Sequence, residues 1–343
     1  MNRERISIVV PAHNSAADLL LCLSALERAA PDDAEILVVD DASTDDTASR
    51  AAARGIRVLR RSQNGGPGAA RNDGARAARG EIIFFVDADV VVAPDAVDRV
   101  RAAFAADPEL AAVFGSYDAR PRHPGVISRY RNLLHHFVHQ HGDANASTFW
   151  GGCGAIRRTV FEASGGFDVL RFPRPSIEDI ELGYRLRAAG HRIRLDRDLQ
   201  GTHLKRWTLG SLVRTDISRR AVPWARLVLE EGTMLDDLNL ARGQRLSAIL
   251  VAMAGSFLVL AWFRAWFVGL AAGALVGVLV LNRELYTFFW RQHGLRFAAA
   301  GILLHLFYYV YSGLSYLFVR ATFRWRRDVQ RRVLAPGPEQ RAS

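Results

Sequence analysis

Apolar residues follow two regimes along this chain. Up to about residue 208, short apolar runs alternate with amphipathic stretches; beyond it, long and nearly uninterrupted apolar runs take over. Ile6-Ser7-Ile8-Val9-Val10 reads as a buried strand stopped by Pro11. Leu19, Leu20, Leu23 and Leu26 then recur at helical spacing across 15–30. A second strand is expected over Glu35–Val39, a short third over 56–60 and a fourth over Ile82–Val86. The fourth follows a glycine-rich turn, Gly65-Gly66-Pro67-Gly68, and a helix of small residues. Such continuous runs fit strands covered on both faces, and their alternation with helices predicts βαβ units and a mostly parallel α/β sheet. Helices are expected over 95–106 and 178–189, the latter capped by Gly190, with a strand at Arg192–Leu195; 110–148 shows no clear period.

Polar residues gather where these strands stop. Right-handed crossovers bring Pro11-Ala12-His13-Asn14, Asp40-Asp41 and Asp87-Ala88-Asp89 to one sheet edge. Ligands of open α/β sheets bind at that edge. The three ends offer acceptors for a base and a ribose, and an acid-x-acid pair for a hard divalent cation whose shell phosphates complete. A strand ending in an ordinary Asp turn is the plain alternative for Asp87 and Asp89. No G-x-G-x-x-G follows the first strand and no G-x-x-x-x-G-K-[ST] occurs, which argues against dinucleotide and P-loop folds and leaves an aspartate-rich receiver-type domain as the structural rival. His135 and His139 have the i, i+4 spacing of a zinc pair, but the third ligand and the Glu of H-E-x-x-H are missing, so helix residues beside a cleft are expected. Glu178 and Asp179 open a helix, where the dipole alone favours acids.

Charge sharpens the picture. The 343 residues carry 45 Lys+Arg and 35 Asp+Glu, a balance of +10, and Lys205 is the only lysine. A positive chain suits anionic partners; no nucleic-acid module is found, and the arginines cluster near the C-terminal apolar runs, which favours a membrane. Two cysteines, Cys22 and Cys153, make no disulfide framework, and a reducing cytosol suits the polar half. Ile6–Val10 is too short a run for a signal peptide.

In the second half, Leu209, Leu212, Val213 and Ile217 share one helical face flanked by Arg214, Arg219 and Arg220, predicting an interfacial helix over 209–229. Candidate spans are 246–263, 265–281 and 297–319, with a basic tail over 320–343. Three crossings leave that tail opposite a cytosolic catalytic domain, whereas Arg320, Arg324, Arg326, Arg327, Arg331 and Arg332 favour the cytosolic side. One re-entrant segment reconciles the two, and an overruled orientation signal is the alternative.

Taken together, these residues resemble the family 2 glycosyltransferases of GT-A fold. The likeness is carried, in the family's order, by Val9–Asn14, Val38–Thr47, Ala70-Arg71-Asn72 with Gly80-Glu81, Asp87–Asp89, Gly151-Gly152 to Arg157, Gly165–Asp168, Glu178-Asp179 and Lys205-Arg206-Trp207. It implies a catalytic domain over 1–208 that uses a nucleotide-diphospho-sugar, Mg2+ or Mn2+, and inversion at the anomeric carbon. By similarity Asp41 meets the nucleobase and Asp87 the ribose, with Pro11, Ala12, Asn14 and Arg71 completing the donor site. Asp89 binds the metal, and Asp179, beside Glu178, is the general base. Gly151, Gly152, His203, Lys205, Arg206 and Trp207 serve the diphosphate and the acceptor. Arg157 and Arg158 are further candidates for an acceptor phosphate. His203 stands where processive members have the Gln of Q-x-x-R-W. The expected protein is a multi-pass enzyme of the cytoplasmic membrane that moves one sugar to a lipid or lipid-linked acceptor. A processive polysaccharide synthase and a non-catalytic donor-binding assembly protein are the alternatives.

Overall fold

The computed structural model describes residues 4–232, 238 and 241–334. Residues up to Leu212 form one compact unit, to which Leu238 and Ala241 also belong, and the other described residues from Val213 form a second.

The first unit is built on an eight-stranded sheet of order β3-β2-β1-β4-β7-β6-β8-β5. β1 (Ile6–Ala12), β2 (Glu35–Asp40), β3 (Arg57–Arg60) and β4 (Ile82–Val86) are parallel neighbours, joined through α1 (Ala16–Ala29), α2 (Thr47–Ala52) and α3 (Gly66–Ala77). Their side chains alternate between two cores: Ile8, Val10 and Phe84 pack with α1 on one face, while Val9, Val39 and Phe85 pack with Ala70 and Ala75 of α3 on the other. Burial on both faces is why these strands read as unbroken apolar runs. Pro11 does not end β1, which continues to Ala12. The ladder with β4 has already closed at Val9–Phe85, and on the β2 side Ala12 O accepts from Asp41 N, so proline's missing N–H breaks no ladder bond.

The rest of the sheet departs from the sequence reading. β5 (Val90–Val92) follows β4 at once, α4 (Ala96–Ala106) leads to β6 (Leu110–Tyr117), and α5 (Val126–His141) to β7 (Cys153–Arg157). After α6 (Arg158–Ala163) and α7 (Glu178–Ala188) comes β8, which runs from Arg192 to His203 rather than stopping at Leu195. β7 lies antiparallel to both β4 and β6, and β5 antiparallel to β8, so the sheet is mixed rather than mostly parallel. The β6–β8 ladder slips between Phe114 and Ser116, where a Cβ on Gly115 would fall 1.9 Å from Leu199 O. That irregularity sets the aim of Tyr117 at the strand end.

In the second unit the expected single amphipathic helix is interrupted. α8 (Leu209–Asp216), which begins in the first unit, passes into a π-helical turn, Ile217–Ala221, before α9 (Val222–Glu231). Pro223 has no N–H for the preceding turn, and the wider turn just before it accommodates that loss. α10 (Arg242–Leu260) and α11 (Phe267–Leu281) pack as a hairpin joined by Trp262, Phe263 and Trp266, all exposed. The segment Arg283–Leu334 (α12) is two helices, broken at His293 and Gly294 by non-helical backbone. Its arms fold back on each other: Tyr286 Oη meets His305 Nδ1 at 3.1 Å, and Phe289 packs on Phe297 and Gly301. Two segments, 242–260 and 283–323, are long and apolar enough to cross a membrane, with 17% and 28% of their most apolar windows buried, and 267–281 is a shorter apolar helix. Helices so little buried are not the core of this unit; their lipid-like faces point outward. The side chains of the basic tail from Arg324 onward lie outside the described residues.

Gly115→Ala places a methyl against backbone that cannot yield, and is expected to cost about 1–3 kcal/mol. A chemical denaturation curve with an unchanged midpoint would contradict this reading of the irregularity.

Candidate functional site

Four strand ends and the first turn of α7 converge at one edge of the sheet. The ends of β1 and β2 carry Asn14 and Asp41. Asn14, at φ +48°, clamps the next loop: its Oδ1 accepts from Thr44 N at 2.8 Å and Asp45 N at 3.3 Å. Pro11 and Ala12 are buried in β1 and present backbone at this edge. Asp41 is buried, its carboxylate accepting from the N–H groups of Gly65 at 3.0 Å and Gly66 at 2.8 Å and from Arg61.

Next to it lies a buried ion group. Arg71, on α3, donates to Asp87 Oδ1 at 2.6 Å and to Glu178 Oε1 at 3.3 Å. The helix turn holding Glu178 also carries Asp179, whose Oδ2 accepts from Gly151 N at 3.0 Å and Oδ1 from Ile180 N at 2.8 Å. Burial and the neighbouring Glu178 charge push the Asp179 carboxyl up to about 7, partly countered by Arg71 and by the two N–H groups. The same carboxylates raise the Arg71 guanidinium against the pull of burial, so it stays a cation. A Cβ on Gly151 would meet the Arg71 guanidinium at 3.2 Å, and one on Gly152 the Trp150 ring at 2.8 Å; here glycine is needed for room. Gly152 O also accepts from Asp87 N, at 3.1 Å.

A second group surrounds Asp89. Its Oδ2 faces His203 Nε2 at 3.4 Å, and its backbone O accepts from Leu204 N. His203, at the end of β8, bonds Asn132 Oδ1 through Nδ1 at 3.1 Å and stacks on Tyr117 with ring centroids 4.4 Å apart. Burial acts to raise the Asp89 carboxyl, but His203 and the nearby Lys205 charge outweigh it and hold the group below its ordinary value. Lys205 is exposed, with its Nζ 4.5 Å from the ring centre of buried Trp207, and Arg206 is exposed. Ser128 Oγ accepts from Trp207 N at 2.9 Å, pinning the segment to α5, while the Trp207 indole Nε1 has no hydrogen-bond partner.

The structure thus gathers Arg71, Asp87, Gly151, Gly152, Glu178 and Asp179 into one cluster, and Asp89, His203, Lys205 and Trp207 into another, joined through the Asp87–Asp89 turn. Arg157 and Arg158 do not belong. β7 is antiparallel to β4, pairing Arg157 with Ile82 at the opposite sheet edge, where Arg157 bonds Glu4 and Leu110 O and Arg158 bonds Ala78 O. His135 and His139 lie ring against ring, tilted by 35° with centroids 4.0 Å apart, and His139 Nδ1 is taken by Gly115 O; no cluster of three or more metal-ligating His, Cys, Asp or Glu occurs among the described residues. Sequence reasoning missed Arg61, Asn132, Tyr117 and Asp18. Asp18, in the first turn of α1, is raised by burial and by the Asp89 charge. Only long-range pairing places these four; Asp18 alone had a local signal, one turn after a strand-end loop.

Arg71→Met leaves Asp87 and Glu178 facing each other without their cation, and is expected to lower stability by about 3–5 kcal/mol at neutral pH. Equilibrium denaturation with less than about 1 kcal/mol of change would show the group to be uncoupled.

Comparison with known proteins agrees with this layout. Residues 7–165 match the model of glycosyl transferase family 2. Validoxylamine A glucosyltransferase of Streptomyces hygroscopicus subsp. limoneus is 32% identical over 234 residues, 57% of this chain and 51% of that protein. Poly(ribitol-phosphate) beta-glucosyltransferase of Bacillus spizizenii is 39% identical over 103 residues, 28% of this chain and 16% of its own length. The chain spans about half or less of the curated relatives it matches. A solved structure, the mannosyltransferase PcManGT from Pyrobaculum calidifontis in complex with GDP-Man and Mn2+, superposes with a TM-score of 0.60 at 20% identity, over 92% of this chain and 88% of that one. Over residues 7–165, the segment that holds β1 to β7, the chain is similar to glycosyl transferase family 2, and its fold is of the GT-A kind.

Proposed function

We propose that the protein is an inverting, metal-dependent glycosyltransferase that moves a single sugar from a nucleotide-diphospho-sugar to a lipid or lipid-linked acceptor at a membrane. The observation that carries the reading is Asp179: a half-buried carboxylate at the cleft, oriented by Gly151 N and held near pH 7 by its surroundings. A base so tuned accepts a proton well at neutral pH. The acceptor oxygen attacks the anomeric carbon, the carbon–oxygen bond to the diphosphate breaks, and the acceptor's proton passes to Asp179. Attack opposite the leaving diphosphate inverts the centre. Pro11, Ala12, Asn14 and Asp87 line the donor side, Gly151 and Gly152 leave the backbone open to the sugar, and Lys205 and Arg206 offer cations to the departing diphosphate.

The residues fit a divalent cation, as the Mn2+ beside the PcManGT donor suggests. Asp89 supplies a carboxylate oxygen. With Nδ1 facing the Asn132 oxygen, loss of the Nε2 proton to the ion would leave the Nε2 lone pair facing Asp89 across 3.4 Å. Two ligands held about 2.1 Å from one ion lie about 3.0–3.4 Å apart. Diphosphate oxygens and water would complete the shell beside these two groups. When bound, the ion offsets negative charge on the leaving group. Imidazole in the set favours a transition ion over Mg2+.

The lipid acceptor and membrane placement draw on the exposed apolar faces of α10, α11 and α12 and on the amphipathic segment through α9. The unpartnered indole N–H of buried Trp207 supports assigning this segment to the acceptor side.

Full-length protein in vesicles with labelled nucleotide sugars is expected to yield an organic-phase product carrying one sugar. Asp179→Asn should slow transfer by about 10²–10⁴-fold. Because the base works ionised and its pKa is raised to about 7, kcat/KM should climb as pH rises through about 7. Unimpaired Asp179→Asn, or polymer as product, would sink the respective part. For the metal, Mn2+ binding followed by electron paramagnetic resonance should weaken about 10–100-fold in Asp89→Ala and in His203→Ala, by analogy with metal-site losses; unaltered binding in either removes that residue from the shell.

A further inference from the structure

His203 is aimed by contacts of two kinds. Its Nδ1 faces Asn132 Oδ1 at 3.1 Å, and its Nε2 faces Asp89 Oδ2 at 3.4 Å. A single hydrogen bond fixes a point on the ring but not its plane, and the outer torsion of a histidine side chain is broad. The plane is met by Tyr117: the two rings lie 8° from parallel, with centroids 4.4 Å apart. Stacked rings attract face to face in this way, and rotation of one against the other gives up that contact.

An irregular ladder delivers Tyr117 to this place. Phe114 pairs with Leu195 and Ser116 with Gln200, so residues 114–116 of β6 run beside residues 195–200 of β8. Past the slip, Tyr117 pairs with Gly201, two positions before His203. Side chains two apart along a strand share a face, so Tyr117 and His203 leave the sheet on the same side. Gly201 puts no side chain between them.

Tyr117 in turn has little room to turn. It is 8% exposed. The Trp150 ring meets it edge-on, at 85° and 4.8 Å, and the His135 ring lies 4.4 Å away, tilted by 39°. His139 stands behind Trp150, with centroids 5.5 Å apart. The two histidines of α5 with zinc-pair spacing thus serve as packing behind the Tyr117 ring.

We propose that Tyr117 is a positioning residue for the cation site: its ring holds the His203 imidazole in the plane that turns Nε2 toward Asp89, while Asn132 holds the other ring nitrogen. The inference rests on the reading of Asp89 and His203 as the chain's ligands to a divalent cation. It adds an aromatic support behind the imidazole, of the kind that tunes a ligand without touching the ion.

The test uses the full-length protein with Mn2+ and inorganic pyrophosphate, a diphosphate that contains no nitrogen. Tyr117→Leu should weaken Mn2+ binding about three- to tenfold, the size of a lost stacked pair. It should also diminish the nitrogen modulation that an imidazole ligand gives in the Mn2+ electron spin echo. Tyr117→Phe keeps the flat ring and should hold affinity within about twofold and leave the modulation in place. Parent affinity and modulation in Tyr117→Leu overturn the proposal. Weaker binding with undiminished modulation does so too, because His203 would still ligate without its support. A Tyr117→Phe variant that loses as much as Tyr117→Leu also overturns it, since the ring plane would not be what matters. If Tyr117→Leu does not fold, Tyr117→Met, a flexible filler of the same space, is read in the same way. A parent protein that binds no Mn2+, or binds it without nitrogen modulation, removes His203 from the cation site and this inference with it. A modulated parent with an unaffected leucine variant removes this inference alone.

Discussion

One buried guanidinium organises the site. Arg71 is 4% exposed and faces Asp87 and Glu178 directly, with Asp179 close enough to feel its charge. A lone cation at that depth carries a large desolvation cost, and so does the buried Glu178 carboxylate, with Asp87 and Asp179 half-buried beside it. Together they are tolerable, but the count is unequal: one positive group serves three acids. Asp87 and Glu178 take the direct bonds, and Asp179 is left with two backbone N–H groups and a like charge beside it. Its raised pKa follows from that imbalance. The stability of the cluster and the raised Asp179 pKa thus follow from the same shortage of positive charge.

The sheet brings these groups together by changing direction. β1 to β4 run parallel and deliver Asn14, Asp41, Asp87 and Asp89 to one edge. β7 then enters antiparallel beside β4, which puts its leading residues, Gly151 and Gly152, at that same edge and sends Arg157 to the other. β8 runs parallel to β6 and ends with His203 against Asp89. Small residues make the crowding possible. Where Arg71, Trp150 and Leu199 press closest, Gly151, Gly152 and Gly115 leave no side chain to displace.

The second unit is built on a different balance of exposed and buried groups. Its apolar residues point outward, while its polar ones turn inward: Asn282 Nδ2 donates to Ser247 Oγ at 2.9 Å, Tyr309 Oη to Gln244 Oε1 at 2.6 Å, and Tyr311 Oη to Asp216 Oδ2 at 2.7 Å. Such bonds tie together helices whose apolar side chains are largely exposed. The fold-back of α12 at Gly294 is part of this arrangement, and it means that the run 297–319 belongs to the returning arm of a hairpin.

Read from sequence, the strands that carry the three polar ends, two of them acidic, were plain, because burial on both faces forces unbroken apolar runs and short polar stops. The acid pair at 178–179, the glycine-rich turn and the apolar second half were visible for similar local reasons. What no local pattern could carry was direction and pairing. β5, β6 and β7 were missed because antiparallel insertion and burial beside other strands leave no period of their own, and Arg157 and Arg158 were assigned to the wrong edge for the same reason. Whether Asp41 faces solvent or the start of α3, whether His135 and His139 converge or lie ring against ring, and which acid keeps its proton near neutral pH depend on neighbours far away in the chain. Composition and period determined the elements and the kind of chemistry; only packing in three dimensions decided which charge meets which, because electrostatic energies follow distance and burial rather than order in the sequence.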